Sequence, residues 1–145
     1  SVSKGETAIY TRVSSSENKS NLVSQTDRVR NWAVMNGYSI TYEASEIGSG
    51  LNDNRKKLLK LLDNPKISTI IVEHKDRLTR FGFNYIDCLL RARGGEVVVI
   101  NKVESDKEDL IQDFTSVITS FCARIYGQRR TKRKTEKLLK ELSDD

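Results

Sequence analysis

The sequence predicts a three-layer α/β domain with a mostly parallel central sheet, followed by a long helix at the carboxyl end. Three observations carry this prediction. Strand-like and helix-like segments alternate from Thr7 to Ile100, the pattern of successive βα units. The run from Ile67 to Val72 is almost entirely apolar or β-branched, as in a strand covered on both faces. Beyond Ser105 the apolar residues switch to helical spacing and keep it.

The elements follow in order. Residues 1–6 are polar and expected to be frayed. Thr7 to Val13 reads as a strand in which Ile9 and Val13 alternate with Tyr10, Arg12 and Ser14. A period of two sends the last three side chains to one side. Asn21 to Asn36 reads as a helix with Leu22, Val29, Trp32 and Ala33 on one face and Gly37 as its stop. Tyr38 to Tyr42 is a short strand, and Gly48-Ser49-Gly50 a mobile turn lacking the lysine of a phosphate-cradling loop. Asn52 or Asp53 is expected to cap a helix carrying Leu58, Leu59, Leu61 and Leu62, which Pro65 ends. After the Ile67–Val72 strand, a loop holds Asp76-Arg77-Leu78-Thr79-Arg80. A helix from Asn84 to Arg93 and a strand from Glu96 to Ile100 complete a core spanning 7–105.

Residues 106–145 read as one long helix of the same domain. Leu110, Phe114, Val117, Ile118, Phe121 and Ile125 form its apolar stripe, and only Gly127 interrupts the pattern. Such a helix is too long to lie wholly on a small sheet. Its apolar half is expected to pair with the same helix of a second subunit, leaving its basic half for a ligand. Arg124, Arg129, Arg130, Lys132, Arg133, Lys134, Lys137 and Lys140 make that half basic, opposed only by Glu136. A cationic stripe suits a phosphate backbone, although a solvated helix face explains the composition equally well.

Composition narrows the class. With 145 residues, 37% hydrophobic and 31% charged, the chain can bury a real core and is soluble in character. No apolar run is long enough to span a membrane, and no signal peptide is visible. Cys88 and Cys122 read as small buried residues of a reduced, intracellular protein. The net charge of +5 is compatible with nucleic acid.

Ser14 and the Arg77/Arg80 loop both fall at carboxyl ends of strands, where ligands bind in open α/β sheets. A serine beside arginines points to phosphoryl chemistry with a hydroxyl nucleophile, because guanidinium groups grip phosphate oxygens and hold charge as it develops. Asp76 is placed to orient an arginine or exchange a proton with the leaving group. His74, the one histidine, has no cysteine cluster or second histidine beside it to form a metal site. Surface ion pairing and an ordinary serine loop are the alternatives for each stretch taken alone.

The residues Tyr10-x-Arg12-Val13-Ser14-Ser15, Gln25, Ser49-Gly50, Arg55 and Asp76-Arg77-Leu78-x-Arg80 resemble the catalytic domain of serine recombinases, the resolvase/invertase superfamily. The runs from Glu73 to Phe83 and from Phe121 to Gly127 resemble the insertion-sequence transposase branch. The resemblance implies a resolvase-like catalytic fold in which Ser14 attacks a DNA phosphodiester. A 5′-phosphoserine link and a free 3′-hydroxyl result, with neither metal nor cofactor. It implies that Arg12, Arg77 and Arg80 hold the scissile phosphate and that Asp76 assists at the leaving oxygen. Tyr10 and Gln25 complete the catalytic set. Asn18, where the family usually has glutamine, joins Arg55, Arg124, Arg129, Arg130, Lys132 and Arg133 as substrate-binding. The implied partners are double-stranded DNA and further copies of the chain: a homodimer, and a tetramer in the synaptic complex. The implied setting is the nucleoid of a prokaryotic cytoplasm. No helix-turn-helix module is present in these residues, so a catalytic fragment is expected. A non-catalytic dimerising DNA-binding module of the same fold is the competing reading. A metal-dependent nuclease is disfavoured for want of a carboxylate cluster.

Overall fold

The computed structural model describes residues 5–103 and 107–143. They form two compact units, divided between Ser105 and Asp106. In the first, β1 (Glu6–Val13), β2 (Ile40–Ile47), β3 (Ile67–Val72) and β4 (Glu96–Val99) form one sheet in the order β2-β1-β3-β4. All three neighbouring pairs are parallel. A 3₁₀ turn at Ser16–Asn18 leads into α1 (Lys19–Met35), which follows β1, and α2 (Lys56–Asp63) follows β2. Between β3 and β4 lie α3 (Lys75–Leu78) and α4 (Phe83–Ala92).

The chain moves one way along the sheet from β1 to β2 and the other way from β2 through β3 to β4. Right-handed crossovers therefore put α1 on one face and α2 with α4 on the other. The packing follows. Ile9 and Ile71 meet Val29 and Ala33 of α1, while Ala8, Tyr10, Ile70 and Val72 meet Leu58, Leu61 and Leu90. Neighbours along β1 thus face opposite layers, as a period of two requires. Each isoleucine or leucine buried in this way contributes roughly 1.5–3 kcal/mol over its exposed state. Ile67, Ile70, Ile71 and Val72 of β3 are all inaccessible, as are Ala8 to Arg12 of β1, so the two central strands are the best buried.

Several expectations change. First, β1 already includes Glu6, while residues 1–4 of the expected frayed segment lie outside the described residues. Second, β2 does not stop at Tyr42 but runs to Ile47, because pairing with β1 continues to the register Val13↔Ile47. Edge position lets it carry Glu43 and Glu46, which break the apolar alternation. Third, Asp76 to Leu78 are in a short helix rather than a loop. Fourth, Cys88 is exposed and Cys122 alone is buried, since Cys88 lies on the outer face of α4.

The expected single C-terminal helix is two: α5 (Lys107–Tyr126) and α6 (Gln128–Ser143). Gly127 at φ +81° breaks it, a backbone angle that side chains rarely adopt. The Lys134 ammonium then sits 4.8 Å from the Tyr126 ring centre. Eight residues along an unbroken helix span about 12 Å, so the chain bends sharply at Gly127. Within α5, Asp109, Asp113 and Cys122 are buried, while Leu110, Ile111, Phe114, Phe121 and Ile125 stay exposed. Among the described residues no helix is long and apolar enough to cross a membrane.

Candidate active site

Because all strands run parallel, β1, β2 and β3 end on the same edge of the sheet. The connections after β1 and after β3 depart in opposite directions, which opens a crevice between the ends of these two strands. Ser14 follows β1, Gly48 to Gly50 follow β2, and α3 follows β3. These three segments make the site.

Arg12 is its centre. The residue is fully buried, and its guanidinium donates from Nε to the Arg77 carbonyl at 3.1 Å and from Nη2 to the Asp76 carbonyl at 2.6 Å. Nη1 donates to the Gly48 carbonyl at 3.0 Å and to Ser14 Oγ at 2.9 Å. Burying a charge costs several kcal/mol, and a ring of carbonyl dipoles offsets that cost. One side chain therefore joins all three strand ends and grips the serine hydroxyl. Arg77 returns the link, donating from Nη1 to the Arg12 carbonyl at 3.2 Å.

Gln25 of α1 holds the same residue from the other side of the sheet. Its Oε1 accepts from the Arg12 N–H at 3.1 Å and its Nε2 donates to the Arg12 carbonyl at 3.0 Å. Gln25 thus fixes the backbone of Arg12 and acts as a positioning residue. At the mouth, Asp76 Oδ2 accepts from Arg80 Nη1 at 2.5 Å, an i,i+4 pair with both side chains mostly covered. Ser14 is half-buried at this mouth, whereas the Arg80 side chain is only 9% exposed.

Tyr10 and Arg55 stand behind the site. Tyr10 Oη donates to Glu46 Oε2 at 2.6 Å and accepts from Arg55 Nη1 at 3.0 Å. Arg55 also donates to the carbonyls of Leu78 at 2.7 Å and Asn52 at 2.9 Å. Burial pushes the Tyr10 hydroxyl well above its ordinary value; Arg55 opposes the shift and Glu46 adds to it. Tyr10 therefore stays protonated. Its part, with Arg55, is to pin the α3 turn against β1.

Glu46 escaped the sequence reading. It accepts from the backbone N–H groups of Lys57 at 3.2 Å and Leu58 at 3.1 Å, so it caps α2 from the neighbouring strand. That explains why neither Asn52 nor Asp53 caps this helix, which starts at Lys56 with no side-chain cap of its own. Only the longer β2 places Glu46 in register, so no local signal could have found it. Thr79 was missed too: its Oγ1 lies 3.2 Å from the Gly50 carbonyl, and the Arg80 N–H reaches the same carbonyl at 2.9 Å. The Gly48–Gly50 turn is thereby anchored to the arginine turn, not mobile.

Asn18 ends the 3₁₀ turn and accepts from Asn21 Nδ2 at 3.5 Å. Arg124 on α5 and Arg129, Arg130, Lys132 and Arg133 on α6 are exposed. Arg130, Arg133, Lys134 and Lys137 line a shallow concavity along one side of α6. His74 Nδ1 lies 2.6 Å from the Val103 carbonyl and so bears on the segment after β4. Beside it, burial pushes the Glu73 carboxyl up. The two-pronged contact from Arg28 outweighs this, aided by His74 and Arg77, and holds Glu73 below the usual carboxylate range. Among the described residues no cluster of histidine, cysteine or carboxylates is placed to hold a metal ion.

Comparison with known proteins gives this geometry a context. The family described as Resolvase, N terminal domain, matches residues 7–141. The C-terminal catalytic domain of IS1535 TnpA, an IS607-like serine recombinase, is 36% identical and superposes with a TM-score of 0.81, covering 95% of this chain and 99% of that one. A serine recombinase from Sulfolobus solfataricus is also 36% identical, with a TM-score of 0.78 over 97% of this chain and 100% of its own. An uncharacterised protein of Mycobacterium tuberculosis is 38% identical over 125 residues, 86% of this chain. The chain spans 42% of that relative's length.

Proposed function

The chain belongs to the resolvase family, with its likeness in the IS607-like serine recombinases, and from that premise we propose that it cuts and rejoins DNA through Ser14. The observation that carries the proposal is the contact of Ser14 Oγ with a fully buried Arg12, at the crevice where Arg77 and Arg80 also converge. Ser14 Oγ gives up its hydroxyl proton to solvent as it attacks phosphorus, the bond from phosphorus to the 3′ oxygen breaks, and the leaving oxygen takes up one proton, so the proton count balances. The serine ester keeps the energy of the broken bond, so a 3′-hydroxyl can attack phosphorus later and release Ser14. Arg12, fully buried, touches the reacting centre through the contact of its Nη1 with Ser14 Oγ. Its role is to orient the serine and to supply positive potential through it. Arg80, held by Asp76 at the mouth of the crevice, is the proposed direct phosphate ligand, with Arg77 behind it. Asp76 is close enough to that site to handle the proton of the leaving group. No metal enters this scheme, because fixed guanidinium charge does the electrostatic work.

The exposed apolar face of α5 is the proposed contact with further copies of the chain, a dimer that pairs into a tetramer on DNA. Along α6, Arg129, Arg130, Lys132 and Arg133 are proposed to track the DNA backbone, with Arg124 beside them on α5. The setting proposed is the prokaryotic nucleoid. Incubation with a nicked, end-labelled duplex in EDTA tests the reaction. A protein–DNA adduct that survives denaturation is expected with wild type and not with Ser14→Ala. DNA binding without adduct in both would favour a non-catalytic DNA-binding module.

A further inference from the structure

We propose that Phe81 and Tyr85 form a stacking platform for DNA bases freed beside the scissile phosphate. The inference rests on the reading of the Ser14–Arg80 crevice as a DNA-cutting site and adds a substrate contact to it.

Three aromatic residues occur within five positions after Arg80, and they divide. Phe83 packs against the core and lies under the Lys75 ammonium, 4.8 Å from its ring centre. Phe81 and Tyr85 turn outward and are 79% and 84% exposed. Two bare aromatic side chains four residues apart offer flat apolar surface to a partner.

Neither ring hangs on a loose loop. The Phe81 carbonyl lies 2.7 Å from Thr79 Oγ1, and the preceding Arg80 N–H is bonded to Gly50. Gly82 then takes φ +82°, the turn that opens α4. The Tyr85 N–H donates to the Gly82 carbonyl at 3.1 Å, and a Cβ placed on Gly82 would sit 3.6 Å from the Tyr85 ring. The Tyr85 ring therefore lies beside Gly82 on a hydrogen-bonded turn, and Phe81 immediately precedes that glycine and directly follows the arginine proposed to bind phosphate.

The charge around them suits nucleic acid. Asp87, the one carboxylate on α4, accepts from Arg91 Nε at 2.7 Å and from the Val97 N–H at 3.0 Å. Lys75, Arg80 and Arg91 supply the cations nearby in the chain. Flat π faces next to phosphate-binding cations are what unstacked bases need, whatever their sequence. Bases beside a cut must leave the duplex stack if the strand end is to move, and the two rings offer them a surface.

The test uses the 145-residue chain with two labelled probes of one sequence, an intact duplex and the same duplex with a two-nucleotide gap. Wild type is expected to prefer the gapped probe. Phe81→Ala and Tyr85→Ala are each expected to lose about five- to tenfold on it, and less than about twofold on the intact probe. Phe81→Trp is expected to keep the preference, with its indole fluorescence quenched by the gapped probe. Unchanged melting of the variants would exclude a folding defect. No gap preference in wild type, or a preference that survives both alanine variants, would overturn the proposal. So would loss of self-association as the only effect, which would assign the rings to a second copy of the chain. Ring-independent binding of both probes would leave the DNA-cutting reading standing, whereas binding of neither would overturn both.

Discussion

Arg12 at the end of β1 and Arg133 on α6 carry the same group in opposite surroundings. The first is fully buried, with its guanidinium donating to three carbonyls and a serine hydroxyl. The second stands exposed in a basic row with Arg130 and Lys137. A buried guanidinium acts through fixed geometry in a medium of low polarity, where each hydrogen bond matters and salt screens little. An exposed one acts as part of a diffuse field that is screened, shared and replaceable. The first kind of arginine is suited to chemistry and the second to holding a charged polymer.

The largest effect that would sharpen this contrast is at Arg12. Arg12→Lys keeps the charge but cannot span four acceptors, so adduct formation should fall about a hundred- to thousandfold. DNA affinity should stay within about twofold. A comparable loss of affinity would erase the distinction. The converse change, Arg130→Ala with Arg133→Ala, should weaken DNA binding and reduce its logarithmic salt slope by about one per cation removed. The rate of adduct formation from the bound complex should not move, as single-turnover measurements at saturating protein would show.

Smaller effects are expected from the supports. Tyr10→Phe removes the hydroxyl shared by Glu46 and Arg55 and should destabilise the fold by about 1–2 kcal/mol in urea titrations. Adduct formation should slow in step, because Arg55 also bonds the Leu78 carbonyl next to the arginine turn. Smallest is the Arg28–Glu73 pair, partly open to water, where Glu73→Gln should cost less than about 1 kcal/mol. Glu73 titrates lower in the folded chain than its ordinary value of about 4.3, so its stabilisation is complete above that pH and lost as acid reaches the depressed value. The difference between wild type and Glu73→Gln should therefore close as the pH falls from about 5 to below about 4. A gap that persists in acid would show that charge is not its source.

Sheet and layers were legible because the strongest patterns were local. The β-branched run of β3 and the alternation around Tyr10, Arg12 and Ser14 placed these residues on the faces they occupy. The convergence of Ser14 with Asp76, Arg77 and Arg80 was legible only as strand-end logic joined to a family resemblance. What stayed hidden depends on contacts distant in sequence. Glu46 gains its role from 36 residues away, through Tyr10, and β2 outlasts its own alternation because β1 pairs with it. Nothing in the sequence shows that carbonyls from two other strand ends enclose Arg12. Gly127 was visible as an interruption, but the bend it makes appears only through its backbone angle and the Lys134–Tyr126 contact.

The most direct test of the central claim is mass spectrometry of the adduct after nuclease and protease digestion, formed in EDTA. A nucleotide joined through its 5′ phosphate to Ser14 is the predicted result. The same nucleotide on Ser15, Ser16 or a tyrosine, or an adduct joined through a 3′ phosphate, would contradict it.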